Sequence, residues 1–488
     1  MRTAALPAGP WDLAECIRIA LANHASGRIA DADVDAAEAQ LAEAQSARWP
    51  HLGMSFRAVR LDEDPTVISQ SLPLDLGPQA TAALGDAAAL AGLVKAGLPI
   101  TPGDPMFDAA FAQASRDARK GLSSLSLPPT TTIVADRDTL TAALRAQFVL
   151  YAGGRIDALI DRARSGVGAA HSRRRESDLD VALRVVRAHD TVLLADDVVR
   201  IGDEAYTNLK VVLDLTKRVY ETGSGSATRA DWLKASVITT TVGGLLDVAR
   251  KHAEIARMAL RNSMGVDADA PLALASKELA ERVVPMDTAE LLAAAFRDRP
   301  DWEQVAIGGD AADAAVREAS AGHLPVVALF AEASRFGNDL DSGVVPASER
   351  GWALGVSVEV PIFDGFAVES RRAKAQAEVR RVAQVRELLR QGIHTEVSVL
   401  RALVEAAAAS LASARKTIGE ATEHRELQFR AYRADLAKTE DVVESQILES
   451  MAKVSLAQSI HAYNTAVAAL RRAVGAIAWG AGDGAQPR

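Results

Sequence analysis

The sequence holds a single cysteine in 488 residues, only 4% aromatic residues, and no proline from Thr130 to Ala270 or from Ile362 to Gln486. Each scarcity excludes something. One cysteine cannot build a disulfide framework or a cysteine-based metal site. Cys16 falls in an apolar helical pattern with Leu13, Ile17, Ala20 and Leu21, so a buried, inert thiol is expected. Glu15 before it, with no apolar run upstream, speaks against a lipid-attachment site. No run of about 18 apolar residues occurs, so no transmembrane helix is expected. A β-barrel is not excluded, because its alternating strands give weak signals. Residues Met1 to Pro10 lack a charged start followed by an apolar stretch, and no secretory signal is visible there.

Charge of one sign is also lacking. Lys and Arg number 55 against 64 Asp and Glu, a net −9 interspersed along the chain, so no basic stripe marks a nucleic-acid partner. No His-Glu-x-x-His or Gly-x-Ser-x-Gly motif occurs, and the nine histidines are scattered. Gly223-Ser224-Gly225 follows a helix rather than a strand, which makes it a turn and not a phosphate loop. No catalytic residue, metal ligand or cofactor is expected, and the chain does not read as an enzyme.

What is present is 49% hydrophobic residues, used in an alanine-rich way, and an internal duplication. Trp11-Asp12-Leu13-Ala14-Glu15 aligns with Met286-Asp287-Thr288-Ala289-Glu290, and Trp49-Pro50 with Leu324-Pro325, at one offset of 275. Phe148 to Gly153 then aligns with Val360 to Gly365, and Tyr220 with Tyr432, at 212. The first half therefore carries 63 additional residues. Ala259-Leu260 and Gly265 align with Ala469-Leu470 and Gly475 at 210. The reading is a first repeat over 11–265, a linker over 266–284, a second repeat over 285–475 and a tail over 476–488.

The proline-free windows predict very long helices. Residues 155–221 and 367–433 each read as one helix of 67 residues, about 100 Å at 1.5 Å per residue. Shorter helices return at 228–264 and 440–474, after tips at Gly223-Ser224-Gly225 and Ala434-Asp435, so each half holds a helical hairpin. In the last helix Val443, Ile447, Met451, Val454, Ala457, Ile460, Tyr463, Val467, Leu470 and Val474 recur every ~3.4 residues, a coiled-coil seam.

Ahead of each long helix the period changes to two. Strands are expected at about 51–60, 139–151, 326–335 and 351–363, the last with Trp352, Leu354, Val356, Val358, Val360 and Ile362 on one face. Four strands of membrane-spanning length cannot close a barrel, so several chains would have to share one.

This order of elements resembles the TolC family of outer-membrane efflux proteins from Trp11 to Gly475. The residues that carry the resemblance are the opening helix from Trp11 to Ala22, the junction Trp49-Pro50, and Val360-Pro361-Ile362-Phe363-Asp364-Gly365. Tyr432, Asp441 and Gln446 past the second tip belong to it, as does the closing run Ala469 to Gly475. The resemblance implies a mainly α fold with a β part. Long α-helical hairpins would form a periplasmic tube, and a homotrimer would share one 12-stranded β-barrel in outer-membrane lipid. The expected place is the cell outer membrane, extending into the periplasm. The implied partners are a periplasmic adaptor and an inner-membrane transporter, serving efflux of small molecules or type I secretion. The additional residues, within 62–138, fall where the barrel's outer loop should be. Val149 stands where the family has a proline before the first long helix.

The resemblance also selects residues. Asp441 and Glu444 match two acidic positions that ring the pore, although the second is usually Asp. Three copies would concentrate cations, whereas the alternative is that acids in a first helical turn only complement the helix dipole. Asp231 and Tyr432 match two positions of a polar link that holds the tips shut. The third, usually arginine, is Ala437 here, with Lys438 beside it as a substitute. Packing alone is the other reading of Tyr432. Trp49, Tyr151, Phe363 and Phe366 fall at helix–strand junctions and would mark the inner membrane interface, or else pack in an ordinary core. The alternative for the whole chain is a coiled-coil scaffold or adaptor without a channel.

Overall fold

The structure, a computed structural model, describes residues 9–60, 68–70, 82–83, 130–132, 138–222, 228–282, 287–338, 348–434 and 436–476. The elements in chain order are α1 (Leu13–Asn23), α2 (Ala25–Ser46), β1 (His51–Arg60), β2 (Ile68–Gln70), β3 (Thr130–Thr132), β4 (Asp138–Ala152), α3 (Arg155–Glu221) and α4 (Arg229–Met264). The second half gives α5 (Thr288–Asp298), α6 (Pro300–Ser320), a 3-10 turn (Ala321–His323), β5 (Val326–Asn338), β6 (Ser348–Glu359), α7 (Ala367–Arg433) and α8 (Thr439–Ala473). Most of the additional segment within 62–138, the tip Gly223-Ser224-Gly225 and nearly all of the tail lie outside the described residues.

The fold is mainly α with one four-stranded antiparallel sheet in the order β1-β4-β5-β6. The long helices α3 and α7 are 67 residues each. The opening helix of each half starts on the same device: Asp12 accepts from the Glu15 N–H at 2.7 Å, and Asp287 is the corresponding N-cap, with the Glu290 carboxylate reaching back to its N–H at 3.2 Å. Strand β6 ends at Glu359, not at Phe363 as its alternation predicts. Its last partner is Val326, which follows Pro325, and Pro361 has no N–H to continue a ladder. It also starts earlier than the apolar alternation, at Ser348, because the backbone pairs on to Gly337 through polar residues.

The helices and strands gather into two compact units. The first comprises 1–30, 175–299 and 391–488. Its core is built from Cys16, Ile17, Ile19 and Ala20 of α1, Val181 to Val192 of α3, and Ala256, Leu260 and Met264 of α4. Cys16 is fully buried and burial pushes its thiol up to about 12, an inert group. The linker is tied to the amino end, where Trp11 N–H donates to Ala273 at 2.8 Å and Ala275 N–H to Trp11 at 2.9 Å. Further along it, Arg282 grips buried Asp190 of α3 with two 2.7 Å bonds, while Asn464 of α8 accepts from the Arg282 N–H and donates to Ala280.

The second unit comprises 31–174 and 300–390. Below the sheet α2 packs on α3 through Val34, Ala37 and Ala44 against Ala170, Ala163 and Ile160. Next, α3 meets α6 through buried Arg162 with Glu318 and through Ser172 with Glu303. Then α6 meets α7, where the Arg386 guanidinium lies 5.0 Å over the Trp302 ring. The helix order α2-α3-α6-α7 thus repeats the strand order. By length and composition α7 also passes for a membrane span, with an 18-residue window of mean hydropathy 1.5 that is only 22% buried. An alanine-rich helix reaches that value without an unbroken apolar run, so this differs from the sequence expectation.

Candidate functional site

The sheet has two unlike faces. Leu52, Met54 and Phe56 of β1, Leu144 of β4, and Trp352, Leu354, Val356 and Val358 of β6 project outward together, with Met54 79% and Trp352 82% exposed. The opposite face is polar: Arg145 of β4 pairs with Glu332 of β5 at 3.2 Å and donates to Ser55 of β1 at 3.2 Å. Such a sheet presents hydrocarbon on one side and charge on the other, the requirement for a wall between lipid and water. Its edge strands β1 and β6 each have one partner among the described residues.

The four junction aromatics lie at the sheet's helical end, all exposed or half-exposed: Trp49, Tyr151, Phe363 and Phe366. Phe366 is left-handed, φ 63°, directly after Gly365 at φ 68°. That backbone sets its ring edge-on to Phe363, centroids 5.6 Å apart, rather than into a core. Asp364 starts α7 by accepting from the Ala367 and Val368 N–H groups at 3.1 and 2.9 Å.

In the first unit, near the turns of the hairpins, α3 and α4 of one hairpin meet α7 and α8 of the other. The Tyr432 hydroxyl lies 3.5 Å from Thr216 and 3.3 Å from Thr439, which are themselves 3.3 Å apart. Thr216 is fully buried, and the three hydroxyls sit in an apolar cluster of Leu209, Val212, Val442 and Val443. Tyr432 therefore links the two hairpins, through threonines rather than through Asp231 or Lys438. Its counterpart Tyr220 instead stacks on Trp232, centroids 6.0 Å apart.

Asp231 caps its own helix. It accepts from the Thr228 hydroxyl and N–H at 2.7 and 2.8 Å, and the Thr228 hydroxyl in particular holds its carboxyl below the usual range. The charges of Lys438 and Lys234 act in the same direction, so Asp231 and Lys438 do come within electrostatic reach. Asp441, its repeat counterpart, accepts from the Lys438 N–H at 2.9 Å. Glu444 is exposed and lines a groove of about 440 Å³ between α4 and α8, rimmed also by Asp231, Lys234 and Glu440 and floored by Ile238, Val443 and Ile447. Lys234 and Glu440 form an ion pair across it. The two acids expected to share a pore task are thus employed differently, Asp441 on a helix end and Glu444 on an open groove.

The sequence reading missed a buried polar layer nearby. Glu449, 2% exposed, pairs with Arg425 of α7 at 2.8 Å and with Lys453 at 3.6 Å, and Lys453 reaches Glu204 of α3 at 2.6 Å. Gln446 accepts from Asn208 of α3 at 3.1 Å. The available signal was Glu449 lying one turn from Lys453 on a helix whose seam is otherwise apolar.

Residues 291–476, nearly the whole second repeat, match the family model described as outer membrane efflux protein. No curated protein is significantly similar in sequence. Among solved structures, CusC superposes with a TM-score of 0.68 at 16% identity, covering 97% of this chain and 96% of that one. The outer membrane protein VceC from Vibrio cholerae gives 0.65 at 18% identity, over 95% and 96%. The MtrE outer membrane channel of Neisseria gonorrhoeae gives 0.63 at 16% identity, over 95% and 89%. The family match falls on the second repeat, and the fold is shared over nearly the whole chain. The second repeat thus matches the outer membrane efflux protein family, and the whole chain shares its fold with the outer-membrane channels CusC, VceC and MtrE.

Proposed function

We propose that three copies of this chain form the exit duct of an efflux system, sharing one 12-stranded barrel and receiving cargo from an inner-membrane transporter through a periplasmic adaptor. The observation that carries this is the sheet: four strands with an exposed apolar face, a polar face and two edges awaiting partners. A strand edge in lipid leaves backbone groups that nothing there can satisfy, so closure is required. Four strands are too few to enclose a side-chain-lined lumen, and repetition by a symmetry axis supplies the rest.

The cargo is of small molecules, drugs, metal ions or metabolites among them, with type I protein secretion the other use of such a duct. The tips form the closure. Tyr432 with Thr216 and Thr439, and below them the Glu449 layer, hold one hairpin against the other, and Glu444 presents a carboxylate to ions that approach. Trp49, Tyr151, Phe363 and Phe366 set the barrel's depth at the inner interface.

Fractionation tests the reading. The protein should follow the outer membrane, need detergent for release, and have the mass of three chains in it. A freely soluble monomer would instead support a coiled-coil scaffold without a channel.

A further inference from the structure

The outward face of the sheet ends on two arginines. In the register of β5 and β6, Arg335 lies directly opposite Arg350, one outward step above the pair of Ala333 and Trp352 and two above Ala331 and Leu354. Both therefore belong to the apolar face, and both are exposed. Like charges directly opposite each other, about 5 Å apart at Cβ, repel. Neither arginine makes an ion pair among the described residues, whereas Arg145 on the opposite face has Glu332. The outward positions below them supply no acid: they are Val327, Leu329, Ala331 and Ala333 on β5, and Trp352, Leu354, Val356 and Val358 on β6. Strand β1, which a shared barrel brings beside β6, contains no acidic residue.

Below the pair the face is hollowed. Ala142 of β4 and Ala333 of β5 are small, and between the side chains of Leu144, Met54 and Trp352 they leave a depression of about 400 Å³ whose rim carries both arginines. A hollow with hydrocarbon walls and two cations at one end has the shape of a lipid's seat. The height agrees. Arg335 stands eight residues along β5 from Val327, the partner of the interface aromatic Tyr151. That is about 26 Å along the strand, or about 20 Å across a membrane at a tilt of ~40°. From there an arginine head snorkels to the far edge of an apolar band about 25 Å tall, where lipid phosphates lie.

We infer that Arg335 and Arg350 form a binding site for a phosphorylated lipid of the outer leaflet, one phosphate bridging the two guanidiniums and one acyl chain seated over Ala142 and Ala333. This rests on the barrel reading above, which supplies the membrane. Arginine suits the task because its planar fork offers parallel N–H donors to phosphate oxygens, and a shared anion turns the repulsion within the pair into attraction. A free phosphate would meet only exposed, hydrated arginines, whose pairings contribute little. The hollow adds the apolar burial that selects a lipid.

The test is binding of lipid A, a phosphorylated and acylated disaccharide, to the purified full chain in detergent, read by native mass spectrometry. The wild type should hold lipid A about tenfold more tightly than the same lipid stripped of its phosphates. R335Q/R350Q should lose that preference, while A333F, which fills the hollow and keeps both charges, should weaken both lipids alike. Inorganic phosphate at the concentration of the lipid should leave bound lipid A in place. Comparing the two lipids on the wild type needs no variant, so it decides even where a substitution prevents assembly. Equal retention of both lipids by the wild type, a preference that survives in R335Q/R350Q, or release by inorganic phosphate would overturn the lipid site and leave the barrel standing. A wild-type chain that is soluble without detergent would overturn the barrel itself.

Discussion

Gly265 and Gly475 end the two returning helices in the same left-handed conformation, φ 66° and 80°, each pressed against the backbone leaving the opening helix of its own half. A Cβ on Gly265 would stand 2.9 Å from the carbonyl group of Asn23 and the Cα of His24, and one on Gly475 2.7 Å from the carbonyl group of Asp298. Asn23 and Asp298 are themselves counterparts in the duplication. The glycines thus close each half on itself, α1 with the end of α4 and α5 with the end of α8.

Gly265→Ala and Gly475→Ala are both expected to destabilise, because the conformation costs an L-residue about 1–3 kcal/mol before the contact with immobile backbone is added. Chemical unfolding in detergent would measure it. Equal stability of either variant and the parent would mean that the helix ends yield more freely than their packing indicates.

These glycines were legible in the sequence as a matched pair, as were the 67-residue helices, because a window without proline and a residue that adopts positive φ without strain are properties of single residue types. The end of β6 was legible only in part: side-chain alternation ran on to Ile362, whereas the ladder stopped where Pro361 withholds a donor. Least legible was the tip. Whether Asp441 faces a lumen or its own helix depends on which N–H lies within reach, and the choice of Thr216 and Thr439 as Tyr432's partners joins residues 216 and 7 positions away.

Asp441 and Glu444 should therefore separate on mutation. Asp441→Asn removes a charge from the first turn of α8 and is expected to cost about 0.3–1 kcal/mol with little change in ion selectivity. Glu444→Gln should leave stability within about 0.5 kcal/mol and reduce preference for cations, most visibly at low salt, where screening is weak. Reversal potentials across a salt gradient, paired with unfolding curves, decide this. Selectivity lost with Asp441 rather than Glu444 would reverse the assignment.

The linker's anchor is a buried ion pair, and Arg282→Ala strands the Asp190 carboxylate, 1% exposed, without its partner. A loss of about 3–5 kcal/mol is expected, with recovery in Arg282→Ala/Asp190→Asn because the stranded charge is gone. A single variant as stable as the parent would show that the linker is not held there.

Burial, with the Arg282 charge opposing and the Asp190 charge partly offsetting, holds His461 below the usual histidine range. The folded protein then binds fewer protons at this site than the unfolded chain does. Its contribution is complete above about pH 6.5 and is lost as the pH falls through the lower folded value. Stability measured from pH 7.5 to 5 should decline, and His461→Gln should flatten part of that decline. An identical slope in the variant would assign the pH dependence to other groups.

Single-channel recording in a planar bilayer distinguishes a transmembrane duct from a non-conducting assembly of this chain. Purified protein should add discrete conductance steps that grow with salt concentration, each step arising from one trimer. Protein that partitions into the bilayer yet never conducts, under voltages and salt at which the bilayer itself holds, would mean that the chain makes no duct.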